Sequence, residues 1–280
     1  MMEEDLELTF WEHLDVLRGT LIRIIAVALI CGIAAFMFKE ELFNIVLAPK
    51  DSQFVTYRLL GVEPFNIQLV NIGLTEQFMI HMKTALCFGV LCASPYILYV
   101  LYKFISPALY QREQRYALKI VGSGYVMFII GILINYYLIF PLTVRFLGTY
   151  QVSDEVQTML SLQSYMDTML MMSLVFGIVF EIPVISWLLA IFGLLRAEWM
   201  SKYRRHAIVV ILILAAVVTP TADVFTLLIV SLPIWMLYEV SIVIVRMTNI
   251  GDSNQLDEYN FRCSKHNINF SIEAPGSSIW

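Results

Sequence analysis

The sequence predicts an all-α polytopic membrane protein with six transmembrane helices. Hydrophobic residues make up 59% of the 280 residues and charged residues only 15%, whereas soluble domains contain roughly 45–50% apolar and about 25% charged residues. Several apolar stretches reach or approach the ~20 residues that a helix needs to cross ~30 Å of hydrocarbon. The pattern lacks the alternating ten-residue strands that are typical of a transmembrane barrel.

The six predicted spans follow the apolar stretches along the chain. Their bounds are 21–38, 78–102, 119–140, 167–195, 207–221 and 224–245. Pro95, Pro183 and Pro233 lie inside spans and are expected to kink them, because proline cannot donate the helical hydrogen bond. Pro141 and Pro220 lie at the ends of spans. The last two spans are short, and the fifth amounts to only ~20 Å of helix. They are therefore predicted to be shorter than the hydrocarbon thickness.

Lysine and arginine residues are distributed unevenly between the predicted loops. Thirteen lie on the side of the membrane that the N-terminus would occupy, namely Arg18, Arg23, Lys103, Arg112, Arg115, Lys119, Arg196, Lys202, Arg204, Arg205, Arg246, Arg262 and Lys265. Four lie on the opposite side, namely Lys39, Lys50, Arg58 and Arg145. Because cytoplasmic loops carry an excess of positive charge, the N-terminus and the C-terminus are both predicted to be cytoplasmic.

Residues 247–280 form a polar segment without a helical period. We interpret them as a disordered cytoplasmic tail that follows a membrane domain of residues 1–246. The four cysteines and four histidines occur singly, which predicts neither a disulfide framework nor a metal site. No glycine-rich phosphate loop and no serine–histidine pairing is apparent, so the sequence predicts no catalysis, no cofactor and no nucleic-acid partner.

Two carboxylates are candidates for function. Glu113 is the acidic residue of an otherwise basic segment, FISPALYQREQRYALK, where it could simply neutralise Arg112 and Arg115. Glu181 lies within VFGIVFEIPVISWLL, and an ionised side chain at the bilayer centre costs roughly 2.5–3.5 kcal/mol. A protonated Glu181 could donate a hydrogen bond to a carbonyl that Pro183 leaves without its helical partner. Alternatively, its carboxyl faces a polar, partly hydrated concavity and contacts a partner helix or an inserted segment.

Several short motifs occur in order across residues 10–246, at the spacing of the six spans. FWEHLDVLRGTLIR is similar to an HLxELRxRL start, and FISPALYQRE precedes the third span. IVLAPK follows the first span, FEIPV lies in the fourth, and TPTADVF and LPIWMLYE cover the end of the fifth and the sixth. Together these motifs resemble the TatC family, the multispanning receptor of the twin-arginine protein translocase.

The resemblance implies that the protein binds signal peptides that carry consecutive arginines. The signal-binding glutamate and phenylalanine of the family's first cytoplasmic loop fall on Glu113 and Phe104. The family's second signal-contacting glutamate falls on Val16, where this sequence departs from the pattern. Asp15 is adjacent to that position, and Glu12 lies one turn earlier on the same helical face, so either carboxylate could replace the missing one.

The resemblance also assigns residues in or near the spans. The fourth-span glutamate of the family falls on Glu181, the acid of its TPxD motif on Asp223, and the proline after the first span on Pro49. It implies a bacterial inner-membrane protein that associates with itself and with single-span partners of the TatA and TatB type, and that uses the proton-motive force to export folded proteins. From the residues alone, the alternative is a proton-coupled secondary transporter that uses Glu181.

Carboxylates suit the predicted ligand because guanidinium groups form bidentate, charge-assisted hydrogen bonds with them. Two neighbouring arginines therefore require two carboxylates at a fixed separation on a cytoplasmic face. The apolar part of a signal peptide then requires a hydrophobic groove beside that face, which the kinked spans are expected to supply.

Overall fold

The computed structural model describes residues 10–61, 67–105, 117–149, 159–219 and 223–272. In this part of the chain the α-helices are α1 (Phe10–Phe36), α2 (Lys39–Leu47), α3 (Val55–Leu59), α4 (Glu76–Ile105), α5 (Ala117–Ile134), α6 (Phe140–Thr149), α7 (Leu162–Val179), α8 (Ile182–Ile191), α9 (Ala197–Lys202), α10 (Arg204–Val218) and α11 (Val224–Ile272). A 3-10 helix (Ala48–Lys50) follows α2, and a π-helical turn (Asn135–Ile139) joins α5 to α6. Two short strands, β1 (Leu69–Val70) and β2 (Leu160–Ser161), pair in parallel. This architecture confirms the predicted helical class.

Five helical stretches of the described residues are long and apolar enough to cross a membrane. They are Leu14–Phe36, Glu76–Phe104, Ile120–Thr149, Leu162–Ile191 and Val224–Thr248. These stretches correspond to the first four predicted spans and the sixth. The predicted span 207–221 coincides with α10, whose 15 residues form only ~22 Å of helix. The crossing by α10, and with it the count of six, stays a prediction.

The third span continues through α6 instead of ending at Pro141 as predicted. Because Pro141 has no N–H, the Tyr137 carbonyl loses its helical partner, and the Thr56 hydroxyl donates a hydrogen bond to it. The Tyr57 hydroxyl lies 2.9 Å from the Pro141 carbonyl and 3.0 Å from that of Pro49. Burial raises the pKa of Tyr57 above its usual range, so its hydroxyl remains a donor. The segment after α2 thus supports a helix that proline would otherwise interrupt.

Two other prolines change the helices differently. α4 continues through Pro95, and the Ser94 hydroxyl donates to the Leu91 carbonyl at 2.7 Å, which is the carbonyl that the proline leaves without a helical partner. α7 and α8 are separated by a two-residue turn that contains Glu181. Pro183 lies in the first turn of α8, where a helix does not use its N–H groups. The kink predicted at Pro183 is therefore a break in the fourth span.

Glycines bring the helices into close contact. A Cβ on Gly89 of α4 would lie 2.5 Å from a backbone atom of α1. A Cβ on Gly177 of α7 would lie 2.6 Å from the ring of Phe128 in α5. In the same interface, a Cβ on Gly131 of α5 would lie 2.8 Å from Phe180, which follows α7. Small residues permit such close helix packing in membranes, and this packing fixes α5 against the broken fourth span.

One carboxylate joins the ends at which α4 and α7 begin, which we call the cap end of the bundle. Glu76 accepts hydrogen bonds from the backbone N–H groups of Ile72 at 3.0 Å and Gly73 at 2.8 Å. It also accepts from the Ser161 hydroxyl at 3.2 Å and the Gln163 N–H at 3.1 Å. Glu76 therefore satisfies donors that precede α4 and donors at the start of α7 together. The opposite end, where α4 ends and α5 begins, is the loop end.

The last helix continues through Pro233 and extends beyond its predicted span. The prediction that its span is short is wrong, because Val224–Thr248 contains 25 residues and is apolar enough to cross a membrane. α11 contains 49 residues, or about 74 Å of helix. Residues 247–272, which the sequence predicted to be disordered, are thus helical in the structure. The physical reason is that no proline follows Pro233 before Pro275, and extending an existing helix costs less than starting a new one.

Candidate functional site

A groove of about 470 Å³ lies between α4, α5 and the α7–α8 pair. Its walls are apolar apart from Ser94, Tyr102 and Glu181, and it follows α4 from Val90 to Tyr102, ~18 Å of helix. We call it the Glu181 groove. It reaches the last turns of α4, so it extends to the loop end, where the segment that contains Glu113 connects α4 to α5. The apolar walls correct the prediction of a polar concavity around Glu181.

The Glu181 carboxyl is held between helices. Its residue is only 8% exposed, and its Oε1 has no hydrogen-bond partner among the described residues. Its Oε2 lies against α5, because a Cβ on Gly124 would be 3.0 Å from this oxygen. The missing hydrogen bond at Oε1 therefore argues against the alternative in which this oxygen donates to a backbone carbonyl that Pro183 leaves without a helical partner. Burying a polar atom without a partner costs about 1–3 kcal/mol, so this oxygen is a place for a ligand group.

The depth of Glu181 follows from the bounds of its span. The span ends at Ile191, ten residues beyond Glu181, which corresponds to ~15 Å of helix. This distance is about half of the ~30 Å hydrocarbon thickness. The structure moves both ends of the predicted span 167–195 toward the N-terminus, and Glu181 still lies near the middle of a bilayer whose surface is level with Ile191.

Phe104 lies in the last turn of α4, at the loop end, and its side chain is half-buried. Two residues earlier, Tyr102 packs with Ile120, so the last turns of α4 are fixed to the first turn of α5. Glu113 lies outside the described residues. It precedes Ala117, the first residue of α5, by four positions, which keeps the two Cα atoms within ~14 Å.

The carboxylates of α1 lie toward the same end of the bundle. Asp15 is exposed in α1, whereas the side chain of Glu12 lies outside the described part of the chain. Near the other end of α1, Phe36 stacks on His81 of α4 with ring centroids 4.0 Å apart. Since His81 is near the start of α4, the two helices are antiparallel, and Asp15 lies toward the end that carries Phe104.

Asp223 and Pro49 do not line the Glu181 groove. Asp223 precedes α11, and its Oδ2 accepts a hydrogen bond from the Thr226 N–H at 2.7 Å, which is the geometry of a helix N-cap. Pro49 is buried in the 3-10 helix, with its carbonyl beside the Tyr57 hydroxyl. The structure therefore does not bring together the three residues that the resemblance assigns in or near the spans.

Two contacts between the helices around the site were not predicted from the sequence. Gly124 admits the Glu181 carboxyl, and nothing in the local pattern indicates this contact. The Asn135 amide, in the π-helical turn, donates a hydrogen bond to the Ser173 hydroxyl of α7 at 2.9 Å. The signal that could have predicted this bond was a carboxamide within an apolar run. Among the described residues, no group of three or more His, Cys, Asp or Glu side chains could hold a metal ion.

Comparisons with known proteins agree with the resemblance. The family model for the Sec-independent protein translocase protein (TatC) matches residues 12–233. The chain is 32% identical over 243 residues to the Sec-independent protein translocase protein TatC of Carboxydothermus hydrogenoformans, and this match covers 87% of the chain and 95% of the relative. It is 33% identical over 258 residues to the protein of the same name from Desulforapulum autotrophicum, with coverage of 92% and 91%.

A solved structure agrees as well. A crystal structure of the twin arginine translocase receptor TatC superposes with a TM-score of 0.74 at 31% identity, covering 85% of this chain and 100% of that chain. Both the sequence match and the superposition extend over most of the described helices. The chain therefore belongs to the TatC family and is a multi-pass inner-membrane component of the Sec-independent protein translocase.

Proposed function

We propose that the protein is the signal-peptide receptor and assembly scaffold of a twin-arginine translocase. It binds twin-arginine signal peptides at a cytoplasmic carboxylate site and holds their apolar segment in the Glu181 groove. It assembles with itself and with single-span partners of the TatA and TatB type, and the proton-motive force drives export of the folded cargo. The observation that carries this proposal is the continuity of the Glu181 groove with the loop end, where Phe104 and the Glu113 segment are located.

The proposed topology has six crossings, with both termini in the cytoplasm. It is supported by the thirteen lysine and arginine residues on the predicted cytoplasmic side, against four on the opposite side. The Arg204 guanidinium at the start of α10 lies 2.9 Å from the Glu239 carboxylate of α11, which supports α10 and α11 as an antiparallel pair. In this topology residues 1–246 form the membrane domain, and residues 247–280 extend into the cytoplasm.

Reporter fusions test the topology. Fusions after residues 60 and 153 are expected to be periplasmic, and fusions after residues 112 and 255 cytoplasmic. A cytoplasmic reporter signal at residue 153 contradicts the proposal.

The arginine site consists of Glu113 and Phe104, with Asp15 or Glu12 supplying the second carboxylate. Its support is geometric, since α1 and α4 are antiparallel neighbours and place Asp15 and Phe104 toward the same end. Each bidentate arginine–carboxylate pair adds orientation as well as attraction. A pair of arginines at a fixed spacing is therefore distinguished from a single basic residue.

A binding measurement with a twin-arginine peptide tests this site. Glu113→Ala is expected to abolish capture of the peptide, whereas Glu198→Ala, which removes an exposed glutamate from a different predicted cytoplasmic loop, leaves capture unchanged. Removing Glu12 and Asp15 together reduces binding more than removing either one. Val16→Glu maintains or tightens binding, since it restores the carboxylate that the family has there. Normal capture by Glu113→Ala refutes the assignment.

The apolar segment of the signal peptide fits the Glu181 groove by size and chemistry. The groove follows α4 for ~18 Å, which is the length of about twelve helical residues. Apolar side chains from α4, α5, α7 and α8 form its walls, so the segment meets a predominantly apolar protein surface there.

Photocrosslinking tests this placement. A photoreactive residue in place of Leu98, which lines the groove, is expected to crosslink to the bound signal peptide. The matched control is the adjacent position, Tyr99, which has nearly the same depth but is 47% exposed outside the groove. Equal crosslinking from both positions contradicts the placement.

Glu181 acts in transport in this proposal, while Asp223 and Pro49 support transport from the cap end. Glu181→Leu removes the polar group without adding volume that the groove cannot accept. We expect a folded protein with impaired transport or partner assembly, measured by export of a twin-arginine reporter in cells. Normal export by a folded Glu181→Leu variant refutes the role of this residue.

A further inference from the structure

Among the described residues, the Glu181 groove contains a carboxyl oxygen whose hydrogen bonding is incomplete. Glu181 is more than nine-tenths buried, and its Oε1 has no hydrogen-bond partner among the described residues. Ser94, another polar residue of the lining, already donates to the Leu91 carbonyl. An occupant that is apolar throughout would leave Oε1 buried and unsatisfied, and such atoms are costly in an apolar environment.

Gly124 determines where this carboxyl lies. A Cβ at this position would be 3.0 Å from Oε2, 3.5 Å from Oε1 and 3.6 Å from Cδ of Glu181. The distance of 3.0 Å between this Cβ and Oε2 is shorter than an ordinary van der Waals contact, so an alanine at position 124 displaces the carboxyl. Gly122 lies two residues earlier on the same helix, and a Cβ added there would have no atom within 4 Å. The two glycines therefore form a matched pair, in which only one is coupled to Glu181.

We propose that the Glu181 groove is built for an apolar peptide segment that carries one hydroxyl or carboxamide side chain at the level of Glu181, and that Gly124 positions the carboxyl to meet it. This inference rests on the proposed function of the groove and specifies the ligand further. Serine, threonine, asparagine and glutamine each contain both a donor and an acceptor. They can therefore pair with the carboxyl whether or not it carries a proton, and they bring no charge into the membrane.

The test uses twin-arginine peptides whose apolar segment contains leucine and alanine, with a single serine or glutamine moved through successive positions. Their affinity for the full-length protein in nanodiscs is measured by fluorescence anisotropy. We expect one position of the polar residue to tighten binding by about threefold to tenfold over the all-apolar peptide, in line with the strength of hydrogen bonds between membrane helices. Neighbouring positions, which point away from Oε1, give no gain.

Variants then assign the gain to Glu181. It is expected to vanish in Glu181→Leu, to persist in Glu181→Gln, to fall in Gly124→Ala and to persist in Gly122→Ala. If Glu181→Leu does not fold, the comparison of Gly124→Ala with Gly122→Ala carries the test. A flat positional profile in the wild-type protein, or a gain that survives both Glu181→Leu and Gly124→Ala, overturns the inference.

Crosslinking from position 98 separates this inference from the proposed function. If every peptide crosslinks there and the affinity profile is flat, the groove binds the signal segment and only the requirement for a polar residue is wrong. If no peptide crosslinks there, the placement of the segment is wrong, and the inference is overturned with it.

Discussion

Replacing Gly89 by alanine is expected to separate α1 from α4. A Cβ at position 89 would lie 2.5 Å from the backbone N of Gly32, 2.6 Å from its Cα and 2.7 Å from the carbonyl oxygen of Ala28. All three are backbone atoms of α1, so no side chain can rotate to make room. The helix must move by roughly 1 Å to restore an ordinary contact, which is the situation that overpacking describes.

The expected loss of stability in Gly89→Ala is obtained by comparison with a glycine at which a Cβ would contact nothing. Gly19 of α1 has no atom within 4 Å of a Cβ, so Gly19→Ala provides the matched control. Both substitutions stabilise their helix by the same ~0.5–1 kcal/mol, because alanine is favoured over glycine inside a helix. They differ in the steric cost at position 89, about 1–3 kcal/mol for overpacking. Gly89→Ala should therefore be less stable than Gly19→Ala by that amount.

Unfolding in mixed micelles with increasing SDS, followed by circular dichroism, measures the difference. Displacement of α1 should also weaken capture of a twin-arginine peptide, because α1 carries Asp15 and α4 carries Phe104. If Gly89→Ala unfolds at the same SDS fraction as Gly19→Ala or at a higher one, the close contact between the helices does not exist in the membrane-embedded protein.

Three further substitutions test individual contacts. Glu76→Gln should lower the melting temperature relative to Glu198→Gln, because a neutral amide accepts fewer of the four hydrogen bonds at the cap end; equal melting temperatures would show that the carboxylate does not join the helices. Tyr57→Phe should cost about 1 kcal/mol in the same SDS titration, since it removes a buried donor to backbone carbonyls, and an unchanged midpoint would argue against that bond. Lys83→Met should change stability by less than ~1 kcal/mol, because the side chains of its 2.8 Å pair with Asp167 are 49% and 40% exposed and lie near the cap end; a larger loss would indicate that lipid rather than water covers the pair.

Hydropathy along the chain was sufficient to place the apolar helices. Five of the six predicted spans coincide with helices that are long and apolar enough to cross a membrane. The reason is that apolar side chains and internally paired backbone groups are required at every position of a span, so the signal is local. Glu181 was also recognisable locally, as a carboxylate with apolar residues on both sides. The order of the motifs was sufficient to indicate the family.

Local sequence failed where a distant residue completes a bond. The third span was predicted to end at Pro141, because the pattern shows that the proline N–H is missing. It does not show that the Thr56 hydroxyl donates instead to the Tyr137 carbonyl, which is 81 residues away from Thr56. In the same way, apolar residues around Glu181 did not reveal that Gly124 leaves space for its carboxyl. These contacts depend on which helices become neighbours, and that is decided by packing over the whole bundle. The sequence alone therefore determined the helices and the family, while the tertiary structure decided where Glu181 lies. It left one oxygen of this carboxyl, in an apolar groove, without a hydrogen-bond partner among the described residues.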